Sequence, residues 1–222
     1  MDGLLPLSTG WYGKLPSRGD FVGRGLPRPW LRTWDAWLQR ALTAGAQQPG
    51  AATLRERLQA MPPWQCLVLP QRSGDAAWCG IVVSSSDRVG RMFPLLLAEA
   101  YELQALGAVD VNVLRARGIS MLQWLSGSRQ MHSPKDLEAA TAAWASTALE
   151  CPAADDTRPG TDIDHLRSNW PAAGSFWWRV GPATEPWKPH AETWPPAEDL
   201  LLHLLDGPPA QAPVLTTDDT AS

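Results

Sequence analysis

The sequence predicts an α/β protein of the α+β type, a central and mainly antiparallel sheet of about five strands with helices on both faces. Three observations predict it. Trp78–Val83 and Met92–Leu97 carry apolar residues on both alternating faces, and a strand without a polar face is normally covered on both sides. Trp64–Leu69 (WQCLVL) reads as another strand one turn upstream, so Trp64–Ala98 forms a three-strand antiparallel meander. Pro29–Ala44 places Trp30, Trp34, Trp37, Leu38, Ala41 and Leu42 at helical spacing, an apolar stripe that needs a sheet face to cover.

The segment that opens GWYGKLPSRGDFVGRGLP at Gly10 is too rich in glycine and proline for a helix. Trp11–Leu15 is expected to be a short first strand and the rest a structured loop. In the Pro29–Ala44 helix, Pro29 suits the first turn and Gly45 the stop. Thr53 followed by Glu56 is a capping-box pattern that heads a second helix, with Leu54, Leu58 and Met61 on its apolar side and Pro62-Pro63 ending it. Gln71–Asp75 turns into the central pair. Pro94 argues for an edge or a bulge in the second of those strands, since proline donates nothing to a ladder.

Asp110 caps a helix that runs to about Ser126, with Val111, Leu114, Met121, Leu122 and Leu125 inward. Ser133-Pro134 starts another, with Leu137, Ala140, Trp144 and Ala148 on one side. Cys151–Thr161 is a polar loop. Ser175–Val180 (SFWWRV) is a late strand whose Trp177 and Trp178 point to opposite faces, one of them expected to be less deeply buried. Gly181–Pro196 is irregular, and Pro196–Leu205 makes the last helix. Residues 1–207 are expected to form one domain and 208–222 a disordered C-terminal tail.

Bulk properties narrow the function classes. The chain has 222 residues and a formal net charge of −4, with no run of five or more like charges, which speaks against nucleic acid as a partner. No apolar run is long enough to span a membrane, and the N-terminus lacks the features of a signal peptide. Three cysteines, Cys66, Cys79 and Cys151, lack CxxC spacing and fit a reducing cytoplasm. Thirteen tryptophans stand against three phenylalanines and two tyrosines, and most are expected in the core.

No catalytic constellation is legible. His132, His165, His190 and His203 share no ligand spacing, and no P-loop, GxSxG or HExxH is present. Asp155, Asp156 and Asp162 match no calcium loop, so neither a metal nor a cofactor is expected. Arg18-Gly19-Asp20 is too short to read as an integrin ligand. The functional candidates come from two loops. Lys14, Arg18, Asp20 and Arg24 lie in the first. Asp87, Arg88 and Arg91 lie in Ser84–Arg91, between the central strands. If the first strand lies beside the central pair, the loops meet at one end of the sheet. Their charges then either lock the loops as ion pairs or present a rim for an anion or a partner.

GWYGKLPSRGDFVGRGLP, then WDAWL at Trp34–Leu38, then SSSDRVGRMFPL at Ser84–Leu95, together resemble the TagF/ImpM family of type VI secretion accessory proteins. The resemblance runs from about Gly10 to Leu97, with weaker support from Phe176–Trp178. It implies a cytoplasmic, non-enzymatic, post-translational negative regulator that binds a forkhead-associated (FHA) scaffold protein. It brings no catalytic residues with it. The candidate partner-binding residues are therefore Lys14, Arg18, Asp20, Arg24, Asp87, Arg88 and Arg91, together with Trp177 and Trp178. The alternative is a small enzyme that clamps an anionic substrate with Arg18, Arg88 or Arg91 and uses Asp20 or Asp87 as acid or base.

Overall fold

The computed structural model describes residues 4–48, 52–70, 76–107, 109–128, 134–149, 163–169, 174–181 and 188–206. Its strands are β1 (Ser8–Gly13), β2 (Val22–Arg24), β3 (Trp64–Val68), β4 (Ala77–Ser86), β5 (Met92–Tyr101), β6 (Ser175–Arg179) and β7 (His190–Glu192). Its helices are α1 (Arg28–Gln47), α2 (Leu54–Ala60), α3 (Leu103–Gly107), α4 (Val111–Ser128), α5 (Pro134–Ala145), α6 (Ile163–Asn169) and α7 (Leu200–Asp206). The strands form one antiparallel sheet in the order β2-β1-β5-β4-β3-β6-β7.

Among the described residues the sheet has seven strands where about five were expected. The additional strands, β2 and β7, are three residues long and lie at the two edges. They fall in Gly10–Pro29 and Gly181–Pro196, which read as irregular. Three residues carry too little alternation to detect, and their pairing comes from the backbone of the neighbouring strand. The short helices α3 and α6 were not foreseen for the same reason. The Trp64–Ala98 meander is present as β3, β4 and β5.

Pro94 sits inside the sheet, paired with Ser84 of β4. The ladder to β1 ends at Leu96, so Pro94 lies beyond its last pair, with Gly13 close to the Pro94 carbonyl. The missing N–H therefore costs no bond to β1.

Alternation along the strands sorts the apolar residues into two layers. Trp64, Cys66, Val68, Trp78, Val82, Leu96, Ala98 and Trp177 face α1, α2 and α7. Here Trp34 and Trp37 of α1 pack on Trp177, and Trp30 packs on Trp78 and Trp194. Trp37 Nε1 donates to the Ala197 carbonyl and Trp64 Nε1 to that of Leu204, which ties the helices to each other and to the sheet. The predicted capping box at Thr53 and Glu56 is formed, and it holds the Glu56 carboxyl below its usual range through the Thr53 backbone N–H and hydroxyl. Gly45, expected as a stop, lies within α1 with Leu54 and Leu202 packed against it.

The opposite layer holds Leu67, Cys79, Ile81, Val83, Leu95, Leu97, Tyr101, Phe176 and Trp178 against α3, α4, α5 and α6. It also buries two polar side chains. Gln65 donates to the Leu114 carbonyl at 2.6 Å and accepts from Trp178 Nε1 at 3.0 Å. Glu99 accepts from Arg117 Nε at 2.9 Å and Nη2 at 2.5 Å, from Tyr101 Oη at 2.7 Å and from Trp144 Nε1 at 2.8 Å. Arg117 also lies over the Trp144 ring. Each Glu99 carboxylate oxygen thus meets two donors, the condition for burying a charge at tolerable cost.

The adjacent Trp177 and Trp178 do point to opposite faces, but both are buried, at 0% and 2% exposure. The expectation that one would be less buried fails because helices cover both sheet faces where β6 pairs β3. Asp155, Asp156, Asp162, the Gln71–Asp75 turn, Cys151 and the 208–222 tail lie outside the described residues.

Candidate functional site

The pairing of β1 with β5 brings the two charged loops to the same end of the sheet. Ser85 Oγ donates to the Lys14 carbonyl at 2.7 Å, and the Arg88 N–H donates to the Arg18 carbonyl at 2.8 Å. These contacts join segments some seventy residues apart in the chain.

Asp87 organises the junction. It opens the turn between β4 and β5, where Gly90 has a φ of 80° that suits glycine, and Gly90 N–H donates back to the Asp87 carbonyl. Asp87 Oδ1 accepts from the N–H groups of Val89 and Arg91, at 3.1 and 2.8 Å. Oδ2 accepts from Lys14 Nζ at 3.0 Å and from Arg91 Nε at 2.6 Å. Burial alone would push this carboxyl up. The bonds from the Arg91 N–H, Lys14, Arg91 Nε and the Val89 N–H outweigh burial and hold it well below the usual carboxylate range. Arg91 then reaches across to the Gly19 carbonyl at 2.8 Å, and Lys14 lies over the Phe21 ring.

The seven loop candidates therefore divide by role. Lys14, Asp87 and Arg91 lock the loops together. Arg18, Asp20, Arg24 and Arg88 are exposed. These four, with Trp11 and Ser17, line a cavity of about 450 Å³ between the loops. Arg24 makes a loose ion pair with Glu138 of α5 at 3.6 Å. Among the described residues, the guanidinium groups of Arg18 and Arg88 have no ion-pair or hydrogen-bond partner. Two polar atoms of the lining residues, Trp11 Nε1 and Ser17 Oγ, are buried without a partner among the described residues. Trp177 and Trp178 lie in the two core layers and offer no surface to a partner.

Trp11, Ser17, Phe21 and Val89 were not singled out in the sequence. Phe21 and Val89 are large apolar side chains left 43% and 66% exposed beside Asp20 and Arg88. Their position next to charged candidates in glycine-rich loops was the available signal. Among the described residues no group of His, Cys, Asp or Glu has the arrangement of a metal site. Cys66 and Cys79 are free and buried, and burial pushes the Cys79 thiol up to about 12. No described helix is long and apolar enough to cross a membrane.

Residues 10–150 match the TagF N-terminal domain family, described as type VI secretion system-associated. The fold is similar to the crystal structure of PA0076 from Pseudomonas aeruginosa PAO1, with a TM-score of 0.67 and 28% sequence identity over 94% of this chain and 99% of that one. No match was found among curated proteins.

Proposed function

Given that the chain belongs to the TagF family of type VI secretion system-associated proteins, we propose that it acts in the cytoplasm as a post-translational negative regulator, binding a forkhead-associated scaffold protein of the secretion machine. One observation carries the placement of the interface. The two loops that hold the family-like segments are fused by Asp87 into a single surface, while Arg18 and Arg88 remain exposed and unpaired on it among the described residues. A surface held in place before binding loses little entropy on association, and arginine is favoured at binding hot spots.

A small enzyme acting on an anion has the cavity in its favour. It lacks a suitable acid or base at Asp87, whose lone pairs are committed to four donors and whose carboxyl is held ionised. Asp20, the other candidate acid or base, is exposed in the cavity lining; the fused surface supports the binding role, and that is the role we propose.

The test is affinity purification of the tagged chain from its native cells, with Arg18→Ala and Arg88→Ala in parallel. A forkhead-associated scaffold is expected with the unmodified chain and is expected to be lost or strongly reduced with the folded variants. Absence of any such scaffold would overturn the proposed partner. Full retention by both variants would move the interface off the loops.

A further inference from the structure

The loop cavity has the composition of an oxyanion site. This chain is acidic overall, yet Lys14, Arg18, Arg24, Arg88 and Arg91 gather at this end of the sheet against Asp20 and Asp87. Lys14 and Arg91 are spent on Asp87. That leaves Arg18, Arg24 and Arg88 around the cavity, with Asp20 and the loosely held Glu138 as the nearby carboxylates among the described residues. Trp11 is 1% exposed, and its indole N–H has no acceptor among the described residues; Ser17 Oγ is equally unpartnered. Buried donors without partners are costly and uncommon, and a ligand that supplies acceptors relieves that cost.

We propose that this cavity binds a phosphate monoester carried on a side chain of the partner polypeptide. The inference rests on the binding role proposed above and names the chemistry recognised at the same site. Two free guanidiniums match the double charge of the group, and its three terminal oxygens match the additional donors of Trp11 and Ser17. A carboxylate would leave part of this donor set unused. Phe21 and Val89, the exposed apolar neighbours in sequence of the lining residues Asp20 and Arg88, would supply apolar contacts for residues flanking the phosphorylated one. A free phosphate ion would have no use for them.

The test follows the indole ¹⁵N–¹H signal of Trp11, assigned with Trp11→Phe, in the full chain. The probes are inorganic phosphate, a blocked Leu-phosphothreonine-Leu peptide and its unphosphorylated form. Phosphate is expected to shift the Trp11 signal with millimolar saturation, and the phosphopeptide to bind about tenfold more tightly. The unphosphorylated peptide should leave the signal in place. An Arg18→Ala/Arg88→Ala variant with an otherwise unchanged spectrum should bind the phosphopeptide at least about tenfold more weakly. No Trp11 shift with either phosphorylated probe, or an undiminished one in the variant, overturns the site. Equal affinity for inorganic phosphate and phosphopeptide overturns the peptide source. These results are separable from the scaffold reading, because scaffold capture without phosphate binding removes only this inference, and phosphate binding without scaffold capture removes only that one.

Discussion

Lys14 Nζ lies 3.0 Å from Asp87 Oδ2, and the two side chains are 9% and 0% exposed. An ion pair this shielded is stable only when its remaining hydrogen-bonding capacity is met, and Asp87 meets it with two backbone N–H groups and Arg91. Asp87→Ala is therefore expected to remove the anchor of both loops at once. Amide hydrogen exchange at Val89 and Arg91 should accelerate and Tm should fall by several degrees. Asp87→Asn keeps an acceptor for the backbone bonds and should fall between the two. Unchanged exchange and Tm in Asp87→Ala would show that the loops are held by other contacts.

Acid should act through the same group. The folded-state carboxyl of Asp87 is depressed, so its contribution is complete above the unfolded value of about 4 and is lost as pH falls below it. Chemical denaturation of the wild type and of Asp87→Asn should show a stability gap that is constant from about pH 6 to 8 and narrows below about pH 4. A gap that stays constant into acid would contradict the depressed value.

A Cβ at Gly118 of α4 would collide with Oε1 and Cδ of Gln65. Gln65 has no room to retreat, since it bonds the Leu114 carbonyl and Trp178. Gly118→Ala should cost about 1–3 kcal/mol of overpacking despite the better helix propensity of alanine. Shortening the partner should relieve it, so Gly118→Ala combined with Gln65→Ala is expected to be less destabilised than the sum of the single variants by about 1 kcal/mol or more. Additive urea midpoints would remove the proposed clash.

Glu99 and Arg117 make the second buried ion pair, with side chains 0% and 7% exposed. Desolvation works against the charge on Arg117, but the Glu99 bonds outweigh it and keep the guanidinium firmly protonated. Removing one partner should be far worse than removing both. Glu99→Leu is expected to cost about 3–5 kcal/mol, and Glu99→Leu with Arg117→Met substantially less. A double variant as unstable as the worse single one would mean the pair matters through its links to Trp144 and Thr147 instead.

Trp178→Phe separates stability from recognition. It removes the Nε1 bond to Gln65 and leaves a buried acceptor unmet, at a cost of about 1–3 kcal/mol. The folded variant should retain scaffold capture in full, because Trp178 touches no surface. Loss of capture with an intact fold would return this tryptophan to the list of contacts.

Much of the architecture was legible because long apolar runs and helical stripes reflect burial directly. The β3–β5 meander, α1 with its tryptophans, the Thr53 cap and the Asp110-headed α4 all follow from residue patterns that repeat over one or more turns. The three-residue edge strands β2 and β7 left no such pattern. Gln65 and Glu99 are polar letters in apolar strands, and nothing local shows that Trp178 and Arg117 will satisfy them.

The candidate site shows the same division. The sequence by itself singled out candidates, chiefly the charges of two glycine-bearing loops. Only the tertiary structure decided that β1 lies beside β5, and with it that Asp87 consumes Lys14 and Arg91 while Arg18 and Arg88 stay free around the cavity among the described residues. It also decided that Trp177 and Trp178 are core on both sides. The physical reason is range. Helix and strand periodicity are set by neighbours a few residues apart. The pairing of a charge is set by whatever the sheet order brings within about 3 Å, here a residue 73 positions away.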